Sequence, residues 1–313
     1  MPTVSVIMNC HNGARYLVEA INSVYTQTYQ DFEIIFYDNV SSDNSVKLAA
    51  LYDERLKIYK NDGDIKTLGH ARKEAVRHAR GEWLAFLDTD DIWMPEKLQK
   101  QMSALSRGEY VLAYAGVENI DANGSHIRMD IPKHSSGNLF GCLLQQFEVN
   151  MPTAIVSKVF MDDRGLNFDP LMEASEEYNL FMQIAADGKV LVLKDILAKY
   201  RVHETSLTFE KMEKWAFERR YTLELLERTR PNLVKHYNSG FIEATSRAMY
   251  YDACSLMRQG KLTRAREELK KASNSGGVKY RLLNWLTYFP SLWRFLHKSS
   301  IKPKISSLLR RIE

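Results

Sequence analysis

Cysteine is scarce. Only three occur in 313 residues, and Cys10, Cys142 and Cys254 share no paired spacing, which argues against a zinc cluster or a disulfide framework and for a reducing compartment. Also missing is any uninterrupted apolar run near the roughly 18 residues that a membrane span requires. The start MPTVSVIMNCHNG has no basic segment ahead of a cleavable apolar core, so a cytoplasmic protein is expected. Excess charge of one sign is missing too: 43 Lys and Arg stand against 39 Asp and Glu, a formal charge of +4. That balance is too mild to argue for nucleic acid as a partner, and no arginine-rich run interleaved with aromatics occurs in the first two thirds. What remains is 45% hydrophobic and 26% charged, long enough for one large domain and an appendage.

In the first third, short apolar runs alternate with longer amphipathic ones. VSVIMN (4–9) is a β-branched-rich run expected of a buried parallel strand, and it stops at the turn signal HNG. ARYLVEAINSVYTQ then places Leu17, Ala20, Ile21 and Val24 at helical spacing. DFEIIFYD (31–38) reads as the next strand, SSDNSVKLAALY as a helix capped by Ser42 or Asp43, RLKIYKN as a strand, LGHARKEAVRHARG as a helix closed by Gly81, and EWLAFLD (82–88) as a fourth strand. Strands joined by helical crossovers predict an α/β fold with a parallel sheet, and such sheets bind ligands outside the carboxyl ends of their strands. Three of the predicted strands end in polar clusters on that edge: Asn9 with His11 and Asn12, Asp38 with Asn39, and Asp88 to Asp91.

The last cluster, FLDTDDIW, runs an apolar segment straight into three carboxylates that repel one another unless a cation or a strong set of donors holds the charge. A hard-metal site is one reading. A solvated loop with Asp as turn former and helix cap is the other. Convergence with the other two strand ends favours the first.

These residues carry a family resemblance. The stretch from Pro2 to Ser45, with QTYQDFEII and the Asp after the second strand, and then ARKEAVRHARGEWLAFLDTDDIWMPEKL, resembles the nucleotide-sugar-binding half of the family 2 inverting glycosyltransferases, which have the GT-A fold. A second block, EASEEYNLFMQIAADGKVLVLKDILAKYRVHETSLT, resembles that family's acceptor-side segment. Together they cover roughly 1–207. The resemblance implies a Rossmann-like, mostly parallel GT-A domain over 1–207, a nucleotide-sugar donor, most simply a UDP-sugar, and a hydroxyl acceptor. It also implies Mg²⁺ or Mn²⁺ on Asp90, with Asp88 near ribose and metal and His203 completing the metal shell or touching the phosphates. Thr89, between the two acids, is expected to point the other way on extended backbone. Asp38 is the implied nucleobase contact, Arg72 faces phosphates or base, and Arg201 neutralises diphosphate or simply pairs with an acid. Departures fall at Asn9, His11, Asn39 and Lys73, which bear on base and ribose contacts; Glu176-Glu177 stands where the family has Glu-Asp.

Transfer of a sugar also needs a base for the attacking hydroxyl. Glu177 precedes Leu180, Phe181 and Ile184 by three, four and seven residues and so is expected on the inward stripe of its helix, with Glu176 on the edge shared with Asn179 and Gln183. Glu177 is therefore the preferred base over Glu176. A haloacid-dehalogenase-like phosphohydrolase with Asp88 as nucleophile is the enzymatic alternative. A degenerate sugar-nucleotide-binding or scaffolding protein is the other.

From about 208 the pattern becomes helical to the end, 208–313, with a single tetratricopeptide-like hairpin in YYDACSLMRQGKLTRAREELKKA around Gly260. The segment 280–313 concentrates Trp285, Tyr288, Phe289, Trp293 and Phe295 beside Arg294, Lys298, Lys302, Lys304, Arg310 and Arg311. That mixture suits a peripheral contact at the inner face of a membrane; packing of the aromatics on the rest of the protein or on a second subunit is the alternative.

Overall fold

The computed structural model describes residues 1–65, 67–203 and 212–297, and the chain divides into two compact units, Met1–Ser206 and Leu207–Glu313.

The first unit is built on one nine-stranded sheet. Strands β1 (Val4–Cys10), β2 (Phe32–Asp38), β3 (Leu56–Lys60) and β4 (Trp83–Phe86) pair in parallel in the spatial order β3-β2-β1-β4. Helices α1 (Ala14–Tyr25), α2 (Ser45–Ala49) and α3 (Leu68–Arg77) make the crossovers. All seven residues of β2 are buried, as a parallel strand covered on both faces requires, and α1 turns Leu17, Ala20, Ile21 and Val24 inward. Two local details differ from the sequence reading. The capping position of α2 is Asn44, although the Asp43 carboxylate does accept from Ser45 N at 2.9 Å. Helix α3 ends at His78 rather than at Gly81, whose N–H is used by Ser5 Oγ on β1 at 2.8 Å.

Beyond β4 the sheet becomes mixed. Strand β5 (Ile92–Trp93) leads through α4 (Lys97–Leu105) to β6 (Tyr110–Ile120) and β7 (His126–Asp130). Helix α5 (Phe140–Gln145), a 3-10 turn at Met151–Thr153, β8 (Ile155–Ser157), α6 (Lys158–Asp163), α7 (Glu176–Asp187) and β9 (Lys189–Arg201) complete the unit. The antiparallel pairing of Ile92 with Lys199 and Trp93 with Ala198 has a consequence for the site: it lays the end of β9 along the acidic turn that follows β4.

The second unit is helical in its described residues: α8 (Met212–Thr229), α9 (Pro231–His236), α10 (Asn238–Arg258), α11 (Leu262–Ser275), α12 (Val278–Leu286) and α13 (Pro290–Leu296). Gly260, at φ +73°, makes the turn between α10 and α11. The core of this unit joins Ala253, Cys254 and Met257 to Ala265, Leu269 and Ala272, and takes in Tyr280, Leu283 and Trp293 from the last two helices. Two of the tail's aromatics thus pack inside this unit, while Trp285, Tyr288, Phe289 and Phe295 stay exposed. Residues 298–313, with the rest of the predicted basic tail, lie outside the described residues.

Candidate active site

The carboxyl ends of β1, β2 and β4 form one edge, and the acidic turn sits at its β4 side. Asp91 N–H donates to the Asp88 carbonyl at 3.2 Å, so Thr89 and Asp90 occupy a turn and not the extended backbone expected of them. Thr89 packs on the loop that follows β1. Its hydroxyl lies against Gly13, where an added Cβ would come within 2.6 Å of Oγ1, so the two loops meet this closely only because residue 13 has no side chain.

Residues from the end of β9 hold the turn. Arg201 N donates to Asp91 Oδ1 at 2.9 Å, its Nε to the Asp90 carbonyl at 2.9 Å, and its Nη2 to Glu19 Oε2 at 2.6 Å. The guanidinium also lies 4.4 Å from the centre of the Tyr16 ring. With its side chain only 2% exposed, Arg201 pairs with an acid and clamps the turn, the second of its two expected roles. His203 Nε2 lies 2.8 Å from Asp90 Oδ2. Burial, reinforced by the neighbouring Asp88, raises the Asp90 carboxyl above the usual range, and burial raises Asp91 further still.

Among the described residues, no three His, Cys, Asp or Glu side chains gather into a complete metal cage. What converges is a pair, a hard carboxylate oxygen and an imidazole nitrogen. Such a pair fits a cation that keeps most of its positions for substrate phosphate oxygens and water, as Mg²⁺ and Mn²⁺ do.

On the other side of the turn, Arg72 bridges two acids. Its Nη2 lies 2.8 Å from Asp88 Oδ1, and its Nε lies 3.1 Å from Glu176 Oε1. The bridge exists because α3 is docked on the segment before α7: Gly69 N donates to the Met172 carbonyl at 3.0 Å and Thr67 Oγ1 to the Pro170 carbonyl at 2.6 Å. A Cβ on Gly69 would stand 2.2 Å from the Asp169 carbonyl oxygen, so this docking needs a glycine.

The helix-face expectation for the two glutamates fails at this point. Glu176 is 2% exposed and Asn179 is fully buried, whereas Glu177 is half-buried. Helix α7 buries Tyr178, Leu180, Phe181, Met182 and Ile184 as well, which leaves it covered nearly all round. A stripe argument discriminates only where one face meets water. Burial pushes the Glu176 carboxyl up to about 8 against the pull of the Arg72 guanidinium, and its Oε2 is a buried oxygen without a hydrogen-bond partner.

The remaining predicted contacts line the ends of β1 and β2. Asp38 is 5% exposed and accepts from Ser41 N at 3.3 Å. His11 Nδ1 lies 2.7 Å from the Asn39 carbonyl, and Asn12, in the left-handed region at φ +54°, accepts from Ser42 N at 2.8 Å. Asn9 carries a buried Nδ2 with no hydrogen-bond partner. The loops after β1 and β2 are therefore sewn to each other as one polar wall. Sequence reasoning missed Tyr16 and Glu19, which brace Arg201. Their only signal is a polar position on an amphipathic helix, which most surface helices also have.

A family model described as glycosyl transferase family 2 matches residues 5–163. The chain belongs to that family. It is 29% identical over 213 residues to the Escherichia coli UDP-Glc:alpha-D-GlcNAc-diphosphoundecaprenol beta-1,3-glucosyltransferase WfgD, covering 67% of this chain and 81% of that one. It is 27% identical over 217 residues to an uncharacterized glycosyltransferase of Rickettsia felis, covering 68% of this chain but 35% of the relative, so it spans about a third of that longer protein. Among solved structures, Staphylococcus aureus TarS (residues 1–349) in complex with UDP-GlcNAc superposes with a TM-score of 0.58 at 18% identity, covering 91% of each chain. The mannosyltransferase PcManGT from Pyrobaculum calidifontis in complex with GDP-Man and Mn²⁺ superposes at 0.61 and 15% identity, covering 97% of this chain and 83% of that one. At such identities the superpositions speak for the GT-A fold alone, an α/β domain followed by C-terminal helices.

Proposed function

We propose that this chain is a metal-assisted, inverting glycosyltransferase that moves a sugar from a nucleoside diphosphate, most simply UDP, to a hydroxyl acceptor. One observation carries the reading: Arg72 joins the acidic turn after β4 to the acidic start of α7, so a donor-side and an acceptor-side carboxylate meet at a single buried cation. The names of the similar proteins support the donor and acceptor classes, since WfgD is named for a UDP-sugar and a diphospholipid-linked glycan and TarS was solved with UDP-GlcNAc. A lipid-linked glycan is accordingly the acceptor class we propose. The phosphohydrolase alternative has nothing in the family match to support it, and Asp88, its supposed nucleophile, is tied to Arg72.

In this mechanism Asp38 and the wall of His11, Asn12 and Asn39 receive the base and ribose. Asp90 and His203 would hold the divalent cation, with Asp88 beside them. When bound, that ion supplies Lewis-acid stabilisation of the charge on the departing diphosphate. Glu177 takes the proton from the acceptor hydroxyl, whose oxygen bonds to the anomeric carbon as the bond to the diphosphate oxygen breaks on the opposite side, inverting configuration in one displacement. Glu176 is the poorer base despite its raised pKa, because it is buried and one of its oxygens is committed to Arg72.

Thermal-shift screening of nucleotide sugars with and without Mn²⁺, followed by a donor-hydrolysis assay on the hits, tests the proposal. A ligand of the native state raises Tm by mass action. A UDP-sugar is expected to do so only with metal present and then to be hydrolysed slowly. Stabilisation by no nucleotide would overturn the reading, and metal-dependent binding with neither hydrolysis nor transfer would favour a degenerate binding protein.

A further inference from the structure

The helical unit ends its described part with a face that its own core does not use. Tyr280, Leu283 and Trp293 point inward, buried to 3% exposure or less. On the outer side, Val278, Leu282 and Trp285 of α12 recur at i, i+4 and i+7, Phe289 follows, and α13 adds Leu292 and Phe295; all of these are exposed. Trp285 and Phe289 touch, with ring centres 4.8 Å apart, and Tyr288 stands at the edge, 59% exposed, with the Arg266 guanidinium 4.2 Å from its ring centre. The two helices are thus apolar on both sides, which a helix packed on one face only does not need to be. Arg281 and Arg294, both exposed, flank the outer row. From Leu269 to the last residue the sequence holds ten Lys or Arg and one acid, Glu313.

We infer that this outer face of α12 and α13 docks on an anionic lipid surface. Amphipathic aromatics at the headgroup level, flanked by cations and free of acids, match the two forces such a surface offers: burial of apolar area and attraction of positive charge. A second copy of the chain on this face would instead show as a dimer that forms without lipid. No helix among the described residues is long and apolar enough to cross a membrane. The inference is independent of the catalytic assignments.

The test is co-sedimentation of the full chain with vesicles of neutral phosphatidylcholine and of phosphatidylcholine mixed with phosphatidylglycerol, at low and high salt. Binding is expected to the anionic vesicles only and to fall with salt. Arg281→Gln with Arg294→Gln should weaken it, at roughly fivefold per cation removed, and Trp285→Ser with Phe289→Ser and Phe295→Ser should abolish it while circular dichroism and Tm stay as in the parent. Brominated lipid in anionic vesicles should quench the tryptophan emission of the parent more than that of Trp285→Phe, a milder change that keeps the test alive if the triple variant misfolds. Equal partitioning of parent and triple variant would overturn the inference. So would a concentration-dependent dimer, in the absence of lipid, that Trp285→Ser dissociates, because the face would then be an interface between copies. UDP-sugar thermal shifts of the same variants keep this outcome separate from the fate of the glycosyltransferase reading.

Discussion

The buried Arg72 guanidinium stands between two acids, with Nε 3.1 Å from Glu176 Oε1 and Nη2 2.8 Å from Asp88 Oδ1. One cation thereby holds two acids from elements far apart in the chain. Removing it deprives the Asp88 carboxylate of its cation and leaves the buried Glu176 carboxyl without its nearest donor. Breaking a buried pair by deleting one partner typically costs about 3–5 kcal/mol. Arg72→Met should therefore lower the urea midpoint strongly and abolish transfer. Arg72→Lys should recover much of the stability but little activity, since one ammonium cannot span both acids in the geometry of the fork. Chemical denaturation and turnover on the same samples check this; a Lys variant with full activity would refute the bridge.

Glu176 makes the pH dependence specific. Its folded pKa of about 8 lies above the ordinary 4.5, so between those values the folded protein holds a proton that the unfolded chain has lost. The stability tied to this proton is fully present below 4.5 and is lost as pH rises through 8. In the metal-free protein the Tm difference between wild type and Glu176→Gln should drift in favour of the variant from pH 5 to pH 9. A constant difference across that range would show that Glu176 ionises normally.

For the chemistry, Glu177→Gln is expected to lower kcat by about 10²- to 10⁴-fold with donor KM nearly unchanged, as loss of a general base does. Glu176→Gln should instead change KM and stability together. The two variants assayed side by side decide which glutamate takes the proton, and a silent Glu177→Gln would reverse the assignment.

At the turn, Asp90→Asn should remove the stimulation of donor hydrolysis by Mn²⁺ while the far-ultraviolet circular dichroism spectrum stays unchanged, because a hard cation depends on carboxylate charge. His203→Asn should raise the metal concentration for half-activity without eliminating the response. Chelator-treated enzyme with full activity would rule out a metal at this pair.

Lys97 offers a stability test away from the site. Its side chain is fully buried, its Nζ has no hydrogen-bond partner and sits 4.1 Å from the centre of the Trp93 ring, and burial holds its pKa well below the usual value. The ring recovers only part of what desolvation costs. Lys97→Met keeps the length and drops the charge, so its Tm should exceed that of wild type, with the gap widening as pH falls; a lower Tm would mean that the ammonium has a partner such as buried water.

Much of the first unit was legible locally. Apolar-rich runs at 4–10 and 32–38 mark strands buried on both faces, and turn residues after each mark the edge where the polar side chains cluster. That information lies within a few residues of each element, because hydrophobic period and turn chemistry are local properties. The hairpin about Gly260 was legible for the same reason. The environment of each acid was not. Arg201 meets Glu19 across 182 residues, and Arg72 meets Glu176 only because α3 docks on the segment before α7. The choice of the inward glutamate failed because periodicity records which side of a helix avoids water, and α7 is covered on nearly every side, so its pattern of polar and apolar residues no longer reports direction. The residue types that could do the chemistry were set by sequence alone; which of them are buried, paired or open to a ligand was decided by packing between elements distant in the chain, where the dielectric surroundings and partners of each charge are fixed.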